Sequence, residues 1–214
     1  AFNFQIPDIN GLLEVLKENP ELRGLNVTLP YKTEVIPFLN ELSDEAQEIG
    51  AVNVVQIRNG HLKGFNSDII GFTRSIQPLL KPHHRKALIL GTGGASRAIR
   101  VGLTRLGLEW KYVSRTPREG MITYNDLTKK TLQEYELIVN CSPVGMFPKV
   151  DECPAIPYHY LTPDNLLYDL VYNPETTLFM KKGALQGAVV KNGLEMLHLQ
   201  AIASWEFWNE EVRG

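Results

Sequence analysis

The amino-acid sequence predicts an α/β fold in two domains, and three of its features lead to that prediction. Strand-like and helix-like segments alternate along most of the 214 residues, which favours a parallel sheet covered by helices. A glycine-rich turn at residues 91–94 joins an apolar strand to a helix. A polar segment at residues 81–85, which contains Pro82, separates two stretches of this pattern and predicts a domain boundary.

Composition and charge exclude several classes of protein. The chain has 43% hydrophobic and 21% charged residues, which is enough apolar material to bury a core. Its formal charge of −2 gives no electrostatic reason to bind nucleic acid or an anionic membrane, so small molecules are the expected partners. Only Cys141 and Cys153 occur, without companions at metal-ligand spacing, so we expect no metal, no disulfide framework and a cytoplasmic location.

The first part of the chain predicts helices and strands in alternation. Apolar residues recur at helical spacing from Ile9 to Leu16, and Asp8 is placed to cap that helix. The turn pair Asn59–Gly60 predicts a hairpin between the strands on either side of it. The predicted elements are a helix at residues 9–16, a strand at 25–29, a helix at 34–42 that includes Pro37, strands at 52–57 and 62–65, and a helix at 69–80.

The stretch KALILGTGGASRAIRVGLTRLG, residues 86–107, runs from an apolar strand into glycines and then into a helix. Gly91, Gly93 and Gly94 permit a tight turn and a close approach of the backbone to a ligand. The helix that begins near Ala95 directs free N–H groups toward a negative group. We therefore predict a phosphate-binding turn for a dinucleotide, with an ordinary glycine turn as the alternative.

The residues after the next strand indicate which dinucleotide binds. This strand, residues 110–113, ends in Ser114, Arg115 and Thr116. NAD-binding proteins usually place an acidic residue here to accept from the ribose 2′-hydroxyl, whereas an arginine suits the 2′-phosphate of NADP. NADP is therefore the predicted cofactor. Arg118 adds a second positive charge, although either arginine could instead be a solvated loop residue.

Three further strands are predicted, at residues 137–139, 166–171 and 188–190. The segment NCSPVGM, residues 140–146, follows the first of them and therefore lies at the sheet edge that lines the ligand crevice of open parallel sheets. Cys141 and Ser142 occur there, but no histidine is placed by sequence to activate either, so we predict structural roles. A long helix after Gly193, rich in Leu, Met and Trp, is predicted to pack as core.

A series of short motifs occurs in order along nearly the whole chain. They are NVTLPYK at 26–32, GAVN at 50–53, GFNSD at 64–68, GTGGASRA at 91–98, SRT at 114–116, SPVGM at 142–146, YDLVYNP at 168–174, KNGLEML at 191–197 and Gln200. In this order and spacing they resemble the markers of the shikimate dehydrogenase family, and together they are far more specific than a glycine turn alone.

The resemblance implies two domains with different tasks. Residues 1–80 and 194–214 would form a substrate-binding catalytic domain, and residues 81–193 a Rossmann-type NADP domain, with a substrate cleft at their junction. The implied reaction is the reversible NADP-linked reduction of 3-dehydroshikimate to shikimate, a step toward chorismate and the aromatic amino acids. The sequence leaves open whether the chain is a monomer or a homodimer.

Lys32 matches the catalytic lysine of the family, and Asp68 matches its partner. Hydride transfer to a carbonyl requires a proton for the developing alkoxide, which an ammonium and a carboxylate beside one hydroxyl supply. Lys32 is expected to donate in reduction and accept in oxidation, with Asp68 orienting it, although sequence does not settle which group formally transfers the proton. From the residues alone, Lys32 could be solvated and Asp68 could cap the helix that begins at Ile69.

The other site residues follow from the same resemblance. Thr28, Asn53 and Gln200 match side chains that bind the hydroxyls and ring of shikimate, and Tyr172 matches a tyrosine near its carboxylate. Taken alone, the first three could be an outward-facing strand threonine, a strand-end turn and a surface helix position. Gly193 and Met196 match positions near the nicotinamide, although a lone methionine is more often core. The predicted cofactor-binding residues are Gly91, Gly93, Gly94, Ala95, Ser114, Arg115, Thr116, Ser142, Val144, Met146, Gly193 and Met196.

The chain departs from the family pattern at its start. It opens with AFNFQIP, which resembles the stretch after the family's GxPxxHSxSP-like motif, whose serines bind the substrate carboxylate. Roughly thirty residues of the pattern, the length of a strand–helix unit, are absent from the sequence. We expect a chain without them to bind NADP but to turn over shikimate poorly.

Two other functions agree with the motifs. One is a relative of broader specificity that oxidises quinate or uses NAD, although Arg115 disfavours NAD. The other is a non-catalytic NADP-binding homologue. The presence of both Lys32 and Asp68 disfavours the latter, because a protein that only binds the cofactor needs neither.

Overall fold

The computed structural model describes residues 2–209, which fall into two compact units. Unit 1 contains residues 2–67 and 201–209, and unit 2 contains residues 68–200. The last helix of the chain contributes to both.

Unit 1 is built on a four-stranded sheet with mixed strand directions. The strand order is β1-β3-β4-β2, in which β3 is antiparallel to β1 and β4, and β2 is parallel to β4. The predicted hairpin around Asn59–Gly60 is confirmed as β3 and β4. The elements are α1 (Gly11–Glu18), β1 (Gly24–Asn26), a 3₁₀ helix (Ile36–Phe38), β2 (Glu41–Leu42), α2 (Asp44–Ile49), β3 (Val54–Arg58) and β4 (His61–Phe65).

Three predictions for unit 1 were wrong. Asp8 does not cap α1, because Asn10 is the N-cap and the Asp8 carboxylate accepts instead from the Asn10 N–H at 2.8 Å. The predicted helix at 34–42 is only the 3₁₀ turn around Pro37, because the backbone is already extended at Leu39 and Asn40 then pairs with β4 through Leu62. The predicted strand at 25–29 ends at Asn26, and the chain continues in turns through residue 35. The backbone pairing of β1 continues for one residue beyond its end, since the Val27 N–H donates to the Asn53 carbonyl at 2.8 Å.

Helix α2 was missed, although the sequence carries its end signals. The Ser43 hydroxyl accepts from the Ala46 N–H at 3.2 Å, which is a standard N-cap. Gly50 ends the helix at φ +67°, a left-handed conformation that glycine adopts without a steric penalty. Both signals are present in the segment SDEAQEIG and predict a short helix on their own.

The end of the last helix packs inside unit 1. Phe207 stacks on Phe65 with ring centroids 4.4 Å apart, and the Trp208 indole N–H donates to the Val55 carbonyl at 3.2 Å. Trp205, by contrast, is 65% exposed. The prediction that this helix packs as core is therefore confirmed at Phe207 and Trp208 and wrong at Trp205.

Unit 2 is a six-stranded parallel sheet with the Rossmann strand order. The order within the described residues is β10-β9-β8-β5-β6-β7, so β5 is central and the winding direction reverses between β5 and β8. The α/β fold with a Rossmann-type parallel sheet is confirmed. The elements are α3 (Asp68–Ile76), β5 (Lys86–Leu90), α4 (Gly94–Arg105), β6 (Glu109–Ser114), β7 (Ile122–Thr123), α5 (Lys129–Glu134), β8 (Leu137–Asn140), β9 (Leu166–Asp169), α6 (Leu178–Ala184), β10 (Val189–Lys191) and α7 (Leu194–Asn209), of which residues 194–200 belong here.

Helices bury both faces of the central strand. Ala87 and Ile89 belong to one hydrophobic cluster, and Leu88 and Leu90 to another, because successive side chains of a strand point to opposite faces. These residues are fully buried, which explains why β5 is apolar throughout rather than alternating.

Helix α3 belongs to unit 2 because it packs against α4. A Cβ at Gly102 would lie 3.0 Å from the Phe72 ring and 3.1 Å from Thr73, so the two helices approach closely at this glycine. The compact units divide at residues 67/68 and 200/201, whereas the sequence placed its functional boundaries at 80/81 and 193/194. Those boundaries describe substrate and cofactor domains, and this division of tasks stays a prediction.

Two general features concern residues 2–209. None of their helices has the combined length and apolarity that crossing a membrane requires. No grouping of three or more His, Cys, Asp or Glu side chains in this part of the chain could hold a metal ion.

Candidate functional site

The glycine turn lies at the point where the sheet reverses its winding. Gly91 follows β5 at φ +101°, and its N–H donates to the Val113 carbonyl of β6 at 3.2 Å. A Cβ built on Gly91 would lie 3.4 Å from the Cβ of Ser142, so the turns after β5 and β8 touch. Ligands of doubly wound sheets bind at this position, outside the carboxyl ends of the strands.

The start of α4 has room for a ligand. Gly93 precedes the helix in an extended conformation, and a Cβ there would meet no atom within 4 Å. The Gly93 carbonyl accepts from the Ser96 N–H at 3.1 Å and from its hydroxyl at 2.6 Å, which fixes the first turn. Gly94 and Ala95 occupy the first two helical positions, where backbone N–H groups and the helix dipole favour an anion.

The predicted cofactor residues after β6 lie at the same sheet edge. Ser114 is buried, and its Oγ accepts from the Thr116 N–H at 3.3 Å, so the chain turns tightly beside β5. Arg115 and Thr116 are exposed. Burial raises the pKa of the Tyr124 hydroxyl, and the positive charge of Arg115 opposes that shift. Arg115 is thus a cation in the turn after β6, at the carboxyl edge of the sheet.

The turn after β8 is held by the side chain of Asn140. The Asn140 Oδ1 accepts from the Ser142 N–H at 3.1 Å and from the Ser142 hydroxyl at 2.7 Å. Val144 is half-buried and Met146 is 47% exposed, so the turn presents an apolar side chain to solvent. Burial, followed by the charge of Asp169, raises the pKa of the Cys141 thiol well above its usual range. A neutral thiol supports the predicted structural role of Cys141.

Asp169 is a residue of this edge that sequence reasoning missed. It ends β9, is fully buried, and accepts from the Thr177 hydroxyl at 2.7 Å and the Asn140 amide at 2.9 Å. Desolvation raises the pKa of Asp169 to about 6, although hydrogen bonds from Thr177, Val171 and Asn140 oppose that shift. The sequence does contain a signal for Asp169, because an aspartate that ends an apolar strand at the crevice edge is an unusual buried charge.

The start of α7 packs against the chain segment after β9. The Gly193 N–H donates to the Val171 carbonyl at 3.2 Å, and a side chain at Gly193 would collide with the Leu170 carbonyl. Tyr172 follows at once and is 47% exposed. Met196 is buried in the hydrophobic cluster of unit 2, so its assigned role beside the nicotinamide stays a prediction.

Helices α3 and α7 pack closely against each other at Gly71, beside the predicted site residue Gln200. A Cβ at Gly71 would lie 2.5 Å from the Met196 carbonyl and 3.2 Å from the Gln200 Cβ, so the helices touch here. Asp68 is buried and begins α3 one turn before Gly71, on the same helix face. Since the helix begins at Asp68 itself, this residue is the first helical residue rather than an N-cap before Ile69.

Unit 1 places three predicted residues around the start of β3. The Lys32 carbonyl accepts from the Val52 N–H at 2.7 Å, and the half-buried Lys32 therefore lies beside the strand that Asn53 precedes. The buried Asn53 amide accepts from the Ser67 N–H at 2.7 Å and donates to its hydroxyl at 3.0 Å. Thr28 is exposed in the turn that leads to Lys32. Lys32 thus lies within a run of turns, three residues beyond the end of the strand that was predicted at 25–29.

Sequence reasoning also missed Asn66, which lies two residues before the predicted site residue Asp68. It is 2% exposed, and its amide donates to the Ala51 carbonyl at 2.9 Å. Its Oδ1 has no hydrogen-bond partner within the described residues. A buried acceptor of this kind costs about 1–3 kcal/mol and is suited to a ligand hydroxyl.

Comparison with known proteins gives the family. The model of the shikimate dehydrogenase substrate binding domain matches residues 1–55. The shikimate dehydrogenase (NADP(+)) of Desulforamulus reducens is 38% identical over 207 residues, which cover 87% of this chain and 71% of that protein. This chain belongs to the shikimate dehydrogenase family. The resemblance that the motifs indicated is confirmed.

Solved structures of the shikimate dehydrogenase family have the same fold. A chorismate mutase/shikimate 5-dehydrogenase fusion protein from Clostridium acetobutylicum matches with a TM-score of 0.86 and 34% identity, over 96% of this chain and 78% of that one. The enzyme from Thermus thermophilus, in complex with NADP(H) and shikimate, matches with a TM-score of 0.83 and 33% identity, over 94% of this chain and 79% of that one.

Alanine substitutions at two glycines of the turn should have different effects, one on stability and the other on cofactor binding. Gly91→Ala forces a side chain into a left-handed conformation, so we expect a melting temperature lower by roughly 2–6 °C.

Gly93→Ala is compatible with its extended backbone and open surroundings, so its melting temperature should equal that of the parent. Its Cβ would occupy the space beside the helix start, and NADPH affinity, measured by fluorescence titration, should fall about tenfold. Unchanged affinity in Gly93→Ala would contradict a phosphate site here.

Asp169 predicts a pH-dependent contribution to stability. Its folded pKa lies above the value of about 3.9 for an unfolded aspartate, so its stabilising contribution is complete below about pH 4 and is lost as pH rises through about 6. Asp169→Asn removes this loss. The free energy of unfolding of the variant relative to the parent should therefore increase by on the order of 1 kcal/mol between pH 5 and pH 8, measured by urea denaturation.

The control for this experiment is Asp151→Asn, which removes an exposed carboxylate from the same unit. A difference between parent and Asp169→Asn that stays constant across pH 5–8 would show that Asp169 keeps an ordinary pKa.

Proposed function

We propose that this protein is an NADP-dependent shikimate dehydrogenase that reversibly reduces 3-dehydroshikimate to shikimate, on the route to chorismate and the aromatic amino acids. The observation that carries the proposal is the sheet edge of unit 2, where a glycine turn and helix start follow β5 and Arg115 follows the paired strand β6, in a chain 38% identical to a protein of that name. We place the enzyme in the cytoplasm, as a monomer or homodimer.

The proposed cofactor residues have separate tasks. Gly91, Gly93, Gly94 and Ala95 admit the diphosphate at the start of α4, where N–H groups stabilise negative charge. Arg115 pairs with the 2′-phosphate, assisted by Ser114 and Thr116. The nicotinamide end is assigned to the turn after β8 and the start of α7, through Ser142, Val144, Met146, Gly193 and Met196.

The proposed chemistry divides between cofactor and protein. Bound NADPH supplies a hydride to the carbonyl carbon of 3-dehydroshikimate. Lys32 donates a proton to the resulting oxygen and takes it back in the oxidation direction, while Asp68 orients the reacting hydroxyl. Each residue is supported by its match to a family motif and by its anchoring, Lys32 through the backbone bond to Val52 and Asp68 at the start of α3.

The proposed substrate contacts are polar side chains with fixed surroundings. Asn53 is held at both ends of its amide by Ser67, which fixes its direction toward a substrate hydroxyl. Thr28, Gln200 and Tyr172 complete the set, with Tyr172 near the carboxylate. We assign substrate binding to residues 1–80 and 194–214 and cofactor binding to residues 81–193. Recognition by such groups rejects analogues that lack a hydroxyl, because a buried polar group would lose its partner.

The reaction is tested by following NADPH formation from shikimate and NADP. Lys32→Ala and Asp68→Ala should lower kcat by about 10²–10⁴, the usual contribution of a general acid or base, while NADPH affinity stays unchanged. Lys17→Ala, which removes an exposed lysine from α1 of the same unit, should behave as the parent. A parent that forms no NADPH from shikimate or quinate, with either NADP or NAD, would overturn the proposal.

Cofactor choice is tested at Arg115. Arg115→Ala should raise KM for NADP about tenfold or more and leave KM for NAD unchanged, because a charged hydrogen bond to the 2′-phosphate contributes about 1.5–3 kcal/mol. Arg118→Ala, measured in parallel, shows whether the second arginine contributes. Arg85→Ala, an exposed arginine before β5 at the opposite edge of the sheet, is the control. Equal losses for NADP and NAD in Arg115→Ala would contradict its assignment.

A further inference from the structure

A buried carboxylate in unit 2 has no role in the chemistry described above. Asp169 ends β9 with no exposed surface, and its neighbours Asn140 and Thr177 are equally buried. A buried carboxylate costs free energy unless its oxygens are hydrogen-bonded. Here Oδ2 accepts from the Thr177 hydroxyl at 2.7 Å, and Oδ1 accepts from the Asn140 amide at 2.9 Å and the Val171 N–H at 3.1 Å.

The carboxylate decides which way the Asn140 amide points. An ionised carboxylate only accepts hydrogen bonds, so Asn140 must direct its Nδ2 toward Asp169. Its Oδ1 then necessarily faces the opposite way, where it accepts from the Ser142 N–H and hydroxyl. A reversed amide would place its NH₂ group against the Ser142 N–H, which only donates, and the turn after β8 would lose that bond.

This arrangement reaches the glycine turn through Ser142. The Cβ position of Gly91 lies 3.4 Å from both the Cβ and the backbone nitrogen of Ser142. A change in the position of Ser142 therefore changes the wall against which the glycine turn packs. On the other side, the Thr177 hydroxyl that donates to Asp169 also accepts from the Met180 N–H at 3.3 Å and caps α6.

We propose that Asp169 is a positioning residue for the cofactor: through Asn140 it fixes the turn after β8 against the glycine turn and so preforms the dinucleotide crevice. It contacts the cofactor at no point itself. The inference rests on the proposed function, because it assigns the crevice to NADPH. A preformed crevice avoids the ordering cost that binding would otherwise incur, so loss of Asp169 should lower cofactor affinity and not only stability.

The experiment measures NADPH binding directly by fluorescence titration, together with the melting temperature. Asp169→Ala removes the shorter of the two bonds that the Asn140 amide donates, at 2.9 Å, and leaves only the Val144 carbonyl at 3.4 Å, so we expect NADPH affinity to fall at least tenfold. Asp169→Asn keeps an oxygen for Asn140 and Val171 and can donate to the Thr177 oxygen, so its affinity should stay within about threefold of the parent. KM for shikimate should change less than NADPH affinity in both variants.

Asn165→Ala is the matched control at the other end of β9. Asn165 is also buried, accepts from the Thr162 N–H at 2.8 Å and donates to the Leu132 carbonyl at 3.1 Å. Its loss should lower the melting temperature as Asp169→Ala does, but NADPH affinity should stay at the parent value, because Asn165 lies away from the carboxyl edge. Equal loss of affinity in both variants would show a general effect of destabilisation and overturn the inference.

A second variant covers the case in which Asp169→Ala does not fold. Asn140→Ala leaves Asp169 paired with Thr177 and Val171 but removes the connection to Ser142, and it should lose NADPH affinity to the same extent. Parent-like affinity in Asn140→Ala or Asp169→Ala would overturn this inference alone. A folded parent that does not bind NADPH would overturn the proposed function and this inference together.

Discussion

The pairing of β5 with both β6 and β8 is the constraint on which unit 2 depends. A parallel strand cannot return directly to its neighbour, so each connection crosses over the sheet. The crossover after β5 leads to β6 on one side of it, and the crossover after β7 leads to β8 on its other side. The carboxyl ends of β5 and β8 therefore lie side by side where the winding direction reverses. The glycine turn, the turn after β8 and Arg115 reach that carboxyl edge because their strands end there.

Burial and ligand binding make opposite demands at this edge. The strands are apolar on both faces, since helices cover both, and a polar side chain among them must find a partner. Asn140 and Asp169 are the last residues of β8 and β9, and they partner each other at 2.9 Å. Their polar contact ends the apolar core and begins the loops that the cofactor is proposed to contact.

In unit 1, buried polar side chains are likewise paired, through hydrogen bonds between segments that are distant in the sequence. Asn53 precedes β3 and binds both the backbone and the hydroxyl of Ser67, whose hydroxyl lies 3.1 Å from that of Ser204 in α7. These groups are buried, so each hydrogen bond also avoids the cost of an unsatisfied polar atom. Side chains that belong to separate motifs of the sequence are thereby held in fixed positions.

The sequence alone determined the glycine turn, the parallel sheet, the hairpin and the family, because strand periodicity, turn residues and motif spacing are local signals. It failed at residues 34–42, where pairing of Asn40 with Leu62 in β4 outweighed local helix preference. Only the tertiary structure placed α3 against α4 and joined Asp169 to Asn140, which lie 29 residues apart. Contacts between distant residues leave no periodic trace in the sequence, since they depend on which strands and helices become neighbours.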